Sequence, residues 1–122
     1  MKVSIITVSF NAASTLKQTI ESVLAQDYPN IEYWVIDGGS TDGTKELLES
    51  YGSRIHYISE PDRGIYDAFN KGLARVTGEF VGVIGADDFY PTQMLFVRLW
   101  IRLIENRWIQ YTGICNSLIL KV

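Results

Sequence analysis

Two adjacent carboxylates, Asp87 and Asp88, close a run of β-branched and small residues, Val81-Gly82-Val83-Ile84-Gly85-Ala86. Such a run reads as a buried strand, so the acids lie where the chain leaves the core. In an open α/β sheet the ligand crevice lies beyond the carboxyl ends of the strands, a place suited to ligand chemistry. A second run, Ile31 to Ile36, also stops at an acid, Asp37. Hard cations such as Mg2+ are held by one or two carboxylates together with substrate phosphates, so an acidic crevice attracts a nucleoside diphosphate once metal is bound. Asp87 or Asp88 can equally be read as capping a helix that starts after Pro91, and this stretch alone leaves both readings open.

The elements that must position these acids follow from the apolar periodicity. Val3 to Val8 is strand-like, and Ser9-Phe10-Asn11 leads into a segment with Leu16, Ile20, Val23 and Leu24 at helical spacing and Ser14 as N-cap. Asp27-Tyr28-Pro29-Asn30 breaks that pattern ahead of the strand Ile31 to Ile36. Gly38 to Gly43 is a glycine-rich turn, with Asp42 as cap for a helix carrying Leu47 and Leu48. A third strand, Ile55 to Ser59, is followed by the loop Glu60 to Gly64. Ile65, Phe69, Leu73 and Val76 then mark one face of a third helix, stopped by Gly78.

Strands alternating with helices predict an α/β fold: a mostly parallel, Rossmann-like open sheet with helices on both faces. With the strand order 3-2-1-4, Asp37, Asp87, Asp88 and the Ser9 to Asn11 loop surround one crevice.

Composition narrows the function classes. A chain of 122 residues, 47% hydrophobic and 20% charged, is a single globular domain's worth. Its formal charge of −3 leaves no electrostatic footprint for nucleic acid. Cys115 is the single cysteine, which fits a reducing compartment. No stretch of signal-peptide length follows Met1-Lys2, so a cytoplasmic location is expected, with the inner face of the membrane within reach. The first strand-to-helix loop, Ser9 to Ser14, has no glycine, which excludes a dinucleotide fingerprint and a P-loop. An aspartyl nucleophile at the end of strand one is excluded too, because Ser9 and Asn11 stand there. His56 reads as a packing or surface histidine, Arg63 as a solvated loop residue, and Tyr33, Trp34 and Tyr57 as core.

The tail differs in character. Met94, Leu95, Phe96, Val97, Leu99, Trp100, Ile101, Leu103, Ile104, Trp108 and Ile109 leave a narrow polar strip at Arg98, Arg102 and Glu105 on one helix. The division expected is an α/β core over residues 1–91 and an apolar helical tail over 92–122, belonging to the same domain or opening a further half. The tail packs under the sheet, against a second copy, or against a membrane surface; its charges argue against a span. The end, Leu118 to Val122, can form a strand.

Four blocks in order carry a resemblance. They are Val3-Ser4-Ile5-Ile6-Thr7-Val8-Ser9-Phe10-Asn11, Val35-Ile36-Asp37-Gly38-Gly39-Ser40-Thr41-Asp42-Gly43-Thr44, Gly64-Ile65-Tyr66-Asp67-Ala68-Phe69-Asn70-Lys71-Gly72, and Ala86-Asp87-Asp88. Together they resemble the nucleotide-binding half of a family 2 glycosyltransferase of the GT-A fold. The resemblance implies a nucleotide-diphosphate sugar as donor, a UDP-sugar by default, and a glycan or lipid-linked acceptor. It implies Mg2+ or Mn2+ held by Asp88 and Asp87 in place of the family's Asp-x-Asp motif, with Asp87 also beside the donor. Asp37 matches the family's acid near the nucleoside, Ser9 and Asn11 the first loop, and Asp67, Asn70 and Lys71 the donor side of the third helix.

Many members carry two acids after strand two, where this chain has Asp37-Gly38. The family also continues for at least as many residues again, supplying the acceptor pocket and the base of an inverting displacement. No residue of this chain is therefore assigned as catalytic. A second reading is a non-catalytic donor-binding module that docks through its tail.

Overall fold

The structure is a computed structural model that describes residues 2–90, 109–112 and 117–121. Its elements are β1 (Val3–Ser9), α1 (Ala13–Leu24), β2 (Ile31–Asp37), α2 (Thr44–Ser50), a 3-10 turn (Gly52–Arg54), β3 (His56–Ser59), α3 (Ile65–Leu73), β4 (Phe80–Val83), β5 (Ile109–Thr112) and β6 (Ser117–Lys121). The sheet order is β3-β2-β1-β4-β6-β5. β1 pairs in parallel with β2 and β4, and β2 with β3, which is the order expected for the first four strands. β6 runs antiparallel to β4, and β5 antiparallel to β6.

Alternation along the strands sorts the core into two layers. On one face Val3, Ile5, Tyr33 and Val35 meet Leu16, Ile20 and Val23 of α1 and Leu48 of α2. On the other, Ile6, Ile36 and Val81 meet Ala68 of α3, with Phe69, Leu73 and Val76 packed around them. Helices therefore cover both faces, and β1, in the middle, is buried at every position from Val3 to Thr7.

At the amino edge Glu32 joins three segments. It accepts hydrogen bonds from Ser4 Oγ (2.6 Å) and from the Thr77 backbone (2.9 Å), while Gly78 N–H donates to Ser4 Oγ (2.9 Å). Burial works against the Glu32 carboxylate, yet these donors and Lys2 hold it below the usual carboxylate range.

Several local expectations change. Ser14 lies inside α1, whose N-cap is Ala12 with no side-chain cap; the Ala13 N–H donates instead to Asp42 Oδ2, 3.1 Å. The first turn of α1 is thus satisfied by a residue from the next crossover rather than by its neighbour. Ile65 is 66% exposed, so the buried face of α3 starts at Ala68. α3 ends at Leu73, ahead of Gly78, and β3 starts at His56, after the buried Ile55. Ile109 stands in β5, so the tail is not helical throughout, while β6 bears out the terminal strand. The apolar residues from Met94 to Trp108, and Cys115, lie outside the described residues. No helix among the described residues is long and apolar enough to cross a membrane.

Candidate functional site

β4 stops at Val83, two residues short of Gly85, and Ile84 stays fully buried with its N–H on the Ile6 carbonyl, 3.0 Å. The chain then turns: Asp88 N–H returns to Gly85 O at 3.1 Å, which brings both carboxylates round the same point. A Cβ placed on Gly85 would lie 3.0 Å from Asp88 Oδ2 and 3.1 Å from Asp87 Oδ1. The two acids therefore converge over a backbone that carries no side chain to separate them. Partial burial raises the Asp88 pKa, and the charge of Asp87 adds to the rise, so this pair gains from a cation. Thr19 of α1 secures the turn from below, its hydroxyl directed at the carbonyls of Ala86 (3.0 Å) and Asp88 (2.5 Å). The reading of Asp87 or Asp88 as the cap of a helix after Pro91 concerns a segment outside the described residues.

Asp37 is different. It is completely buried, and its carboxylate accepts Ser9 Oγ (3.0 Å), Ser40 N–H (2.9 Å), Ser40 Oγ (2.5 Å) and Ser59 Oγ (2.8 Å). Ser9 and Ser59 are its register partners on the two neighbouring strands, so sheet pairing alone delivers two of the donors. Asn11, left-handed at φ 48°, laces the first loop to the second: its N–H donates to Ser40 Oγ (2.7 Å) and its Oδ1 accepts Thr41 N–H (3.0 Å). Asparagine tolerates that conformation better than most residues. Asp42 ties the same loops to two helices, taking Ala13 N–H and, through Oδ1, Thr44 N–H at 3.1 Å. The Thr44 hydroxyl is the main reason its pKa lies below the ordinary value.

The third loop is braced by the helix behind it. Asp67 accepts Arg63 N–H (3.0 Å), and Lys71 Nζ reaches Pro61 O (3.1 Å) and Glu60 (3.1 Å). Glu60 N–H in turn donates to Asp37 O, 3.1 Å. Asn70 is exposed on α3. Thus the structure brings Ser9, Asn11, Asp37, Asp87 and Asp88 to one sheet edge, with Asp67 and Lys71 bracing the adjoining loop. Ser9 is engaged with Asp37, and Asn11 with Ser40 and Thr41, whereas over Gly85 Asp87 is exposed and Asp88 half-buried.

Sequence reasoning passed over Thr19, Ser40, Ser59 and Asp62. For Thr19 and Ser59 no local signal exists, because their partners are 67 and 22 residues away, whereas Ser40 donates to Asp37 three residues before it. A cleft of about 310 Å3 lies at the other end of the sheet, by Ile31, Glu32 and His56, away from the acids. There His56 stacks on Trp34 at 4.8 Å, in keeping with a packing role.

Parallel strands with acids at their carboxyl ends and a glycine-free first loop make an open α/β domain that lacks the dinucleotide-binding fingerprint. The chain belongs to glycosyl transferase family 2, whose family model matches residues 4–106. It is 35% identical over 115 residues to the putative teichuronic acid biosynthesis glycosyltransferase TuaG of Bacillus subtilis, covering 91% of this chain and 46% of that one. It is 43% identical over 88 residues to an uncharacterized glycosyltransferase of Mycobacterium tuberculosis, covering 70% and 34% of the two chains.

Among solved structures, the mannosyltransferase PcManGT of Pyrobaculum calidifontis, in complex with GDP-Man and Mn2+, superposes with TM-score 0.86 at 20% identity, over 98% of this chain and 44% of that one. S. aureus TarS 1-349 in complex with UDP-GlcNAc gives TM-score 0.74 at 25% identity, over 86% and 31%. The chain thus spans less than half the length of these relatives.

Proposed function

We propose that this chain is the donor-binding part of an inverting glycosyltransferase, holding a nucleotide-diphosphate sugar and a divalent cation for transfer to a glycan or lipid-linked acceptor. The observation that carries the reading is the convergence of Asp87 and Asp88 over Gly85 at the carboxyl edge of the sheet. Among the described residues no group of three or more protein ligands gathers to hold a metal. Two carboxylates suffice for Mg2+ or Mn2+ when substrate phosphates complete the shell, and the bare cradle at Gly85 fits that donor set. When bound, the cation supplies Lewis-acid stabilisation of the departing diphosphate. Asp88 and Asp87 hold the cation, Thr19 fixes the turn that aims them, and Asp37 with its serines sets the loops that flank the donor.

The bound GDP-Man and UDP-GlcNAc of the two structural relatives support a nucleotide sugar of either base, and the teichuronic acid relative supports a polysaccharide acceptor. A cytoplasmic setting, at the inner face of the membrane, belongs to the same reading. No general base is assigned within the chain, so donor binding without appreciable transfer is expected of it alone; base assistance contributes about 10²- to 10⁴-fold in rate.

Calorimetric titration of UDP and GDP with Mn2+ tests the site. Asp88→Asn keeps the side chain's shape and removes the charge, and Mn2+-dependent affinity should fall by at least about tenfold. Equal affinities in the two proteins would overturn the metal site.

A further inference from the structure

The sheet order begins at β3, and no strand lies beyond it among the described residues. One hydrogen bond tells which of its backbone groups face outward: the Glu60 N–H donates to Asp37 O at 3.1 Å, so residue 60 turns its amide toward β2. Backbone groups alternate sides along a strand, so Ile58 and His56 face β2 as well, while Ser59, Tyr57 and Ile55 present their N–H and C=O to the open edge. Ile55 precedes the strand but is already extended, at φ −133° and ψ 159°. Open edges are ordinarily blunted by proline or by charged side chains, and residues 55–59 carry no proline, lysine, arginine or acid. We propose that this edge is the docking surface for a second copy of the chain, β3 pairing antiparallel with β3 of that copy about a twofold axis at Tyr57.

Register commits the edge to its own kind. With Tyr57 opposite Tyr57, Ile55 stands opposite Ser59 and Ser59 opposite Ile55, so outward residues meet only outward residues and each pair is of the hydrogen-bonded type. The same register sets Arg54 opposite Glu60, once on either side of the axis. Arg54 is exposed, its guanidinium 5.6 Å over the Tyr51 ring, and it takes part in no ion pair among the described residues. The Glu60 side chain is 52% exposed and meets Lys71 through Oε1 at 3.1 Å, which leaves acceptor capacity for a guanidinium. A shift of register in either direction leaves at least one outward residue without its match and parts the charges. On one face of the joined sheet the two Tyr57 rings lie side by side, each packed against its own core; on the other, His56 of one copy meets Ile58 of the other. The paired edge is short and buries less than a standard interface, so the dimer is weak and depends on concentration.

Sedimentation velocity of the full chain from low to high micromolar protein should show a reversible monomer–dimer equilibrium, and amide exchange at Tyr57 and Ser59 should slow as protein concentration rises. Arg54→Glu and Glu60→Lys each set like charges across the axis twice, and each should weaken association about tenfold. Mixed in equal amounts, these two variants form attractive pairs at both places, and the dimer should return. A wild type that stays monomeric throughout, or exchange at Tyr57 that does not respond to concentration, would overturn the proposal. So would a dimer that neither variant weakens, or a mixture that associates no better than its components. The exchange measurement on the wild type decides the matter even where a variant fails to fold.

Discussion

Gly85 and the two acids above it are a case in which the missing side chain matters as much as those present. Its replacement by alanine would place a methyl carbon 3.0 and 3.1 Å from the two carboxylate oxygens. Those oxygens end exposed or half-exposed side chains that can swing away, so the fold should tolerate the change. The cation should not, because the oxygens must turn inward to share it. Gly85→Ala should therefore leave the urea midpoint nearly unchanged and weaken Mn2+-dependent nucleotide binding by about tenfold, on the scale of lost outer-shell partners. A drop in midpoint with binding retained would mean that Gly85 serves the backbone instead. Thr19 presents the reverse situation. Thr19→Val removes the hydroxyl that meets two turn carbonyls, and should cost about 1–2 kcal/mol in urea denaturation as well as some of the metal affinity.

At the scale of elements, the loops after β1, β2 and β3 behave as one braced unit. Asp37 lies at its centre, and Asn11, Asp42 and Lys71 tie its members to each other and to the helices behind. The opposite edge of the sheet is closed by the Glu32 network instead, and there a pH effect follows. Because its folded-state pKa is lowered, Glu32 contributes stability that is present above its unfolded pKa, about 4.3, and is lost as pH falls through the lower folded value. Wild type should lose urea stability on acidification across that window more steeply than Glu32→Gln, which is less stable at neutral pH. Parallel slopes for the two proteins would remove Glu32 as the cause. α2 and α1 are joined more simply: the Tyr51 hydroxyl donates to Glu21 at 2.8 Å, and burial with that neighbour pushes the Tyr51 pKa up to about 12.

For the whole molecule, the added strands decide what happens to the open side of the sheet. β4 would otherwise end the parallel sheet with an unpaired edge next to the acidic turn, and open edges invite association. β6 covers that edge over Phe80 to Val83, and β5 continues beyond it. A chain ending at Pro91 should therefore unfold at lower urea concentration than the full chain and associate more readily at high concentration. An unchanged midpoint and a sedimentation profile like that of the full chain would show that β4 needs no cover.

Whereas tertiary pairing decides the order of the first four strands, local pattern was enough to determine a mostly parallel sheet with helices on both faces and Asp37, Asp87 and Asp88 at its carboxyl edge. Those features follow from period, β-branched runs and acids at strand ends, all of which are written over short distances. Helix capping was misread at Ser14 because its substitute, Asp42, comes from another crossover. The sequence also could not tell a carboxylate that is available from one that is consumed. Asp37 and Asp88 both end apolar runs, yet register places Ser9 and Ser59 beside the first, while a turn over Gly85 leaves the second facing a like charge. Nor could it connect Gly38 with Asp62, 24 residues apart, since only the close approach of two loops brings Asp62 Oδ2 to 2.8 Å from where a Cβ on Gly38 would stand. That approach is a property of the packed sheet, set by which strands become neighbours and where each one stops.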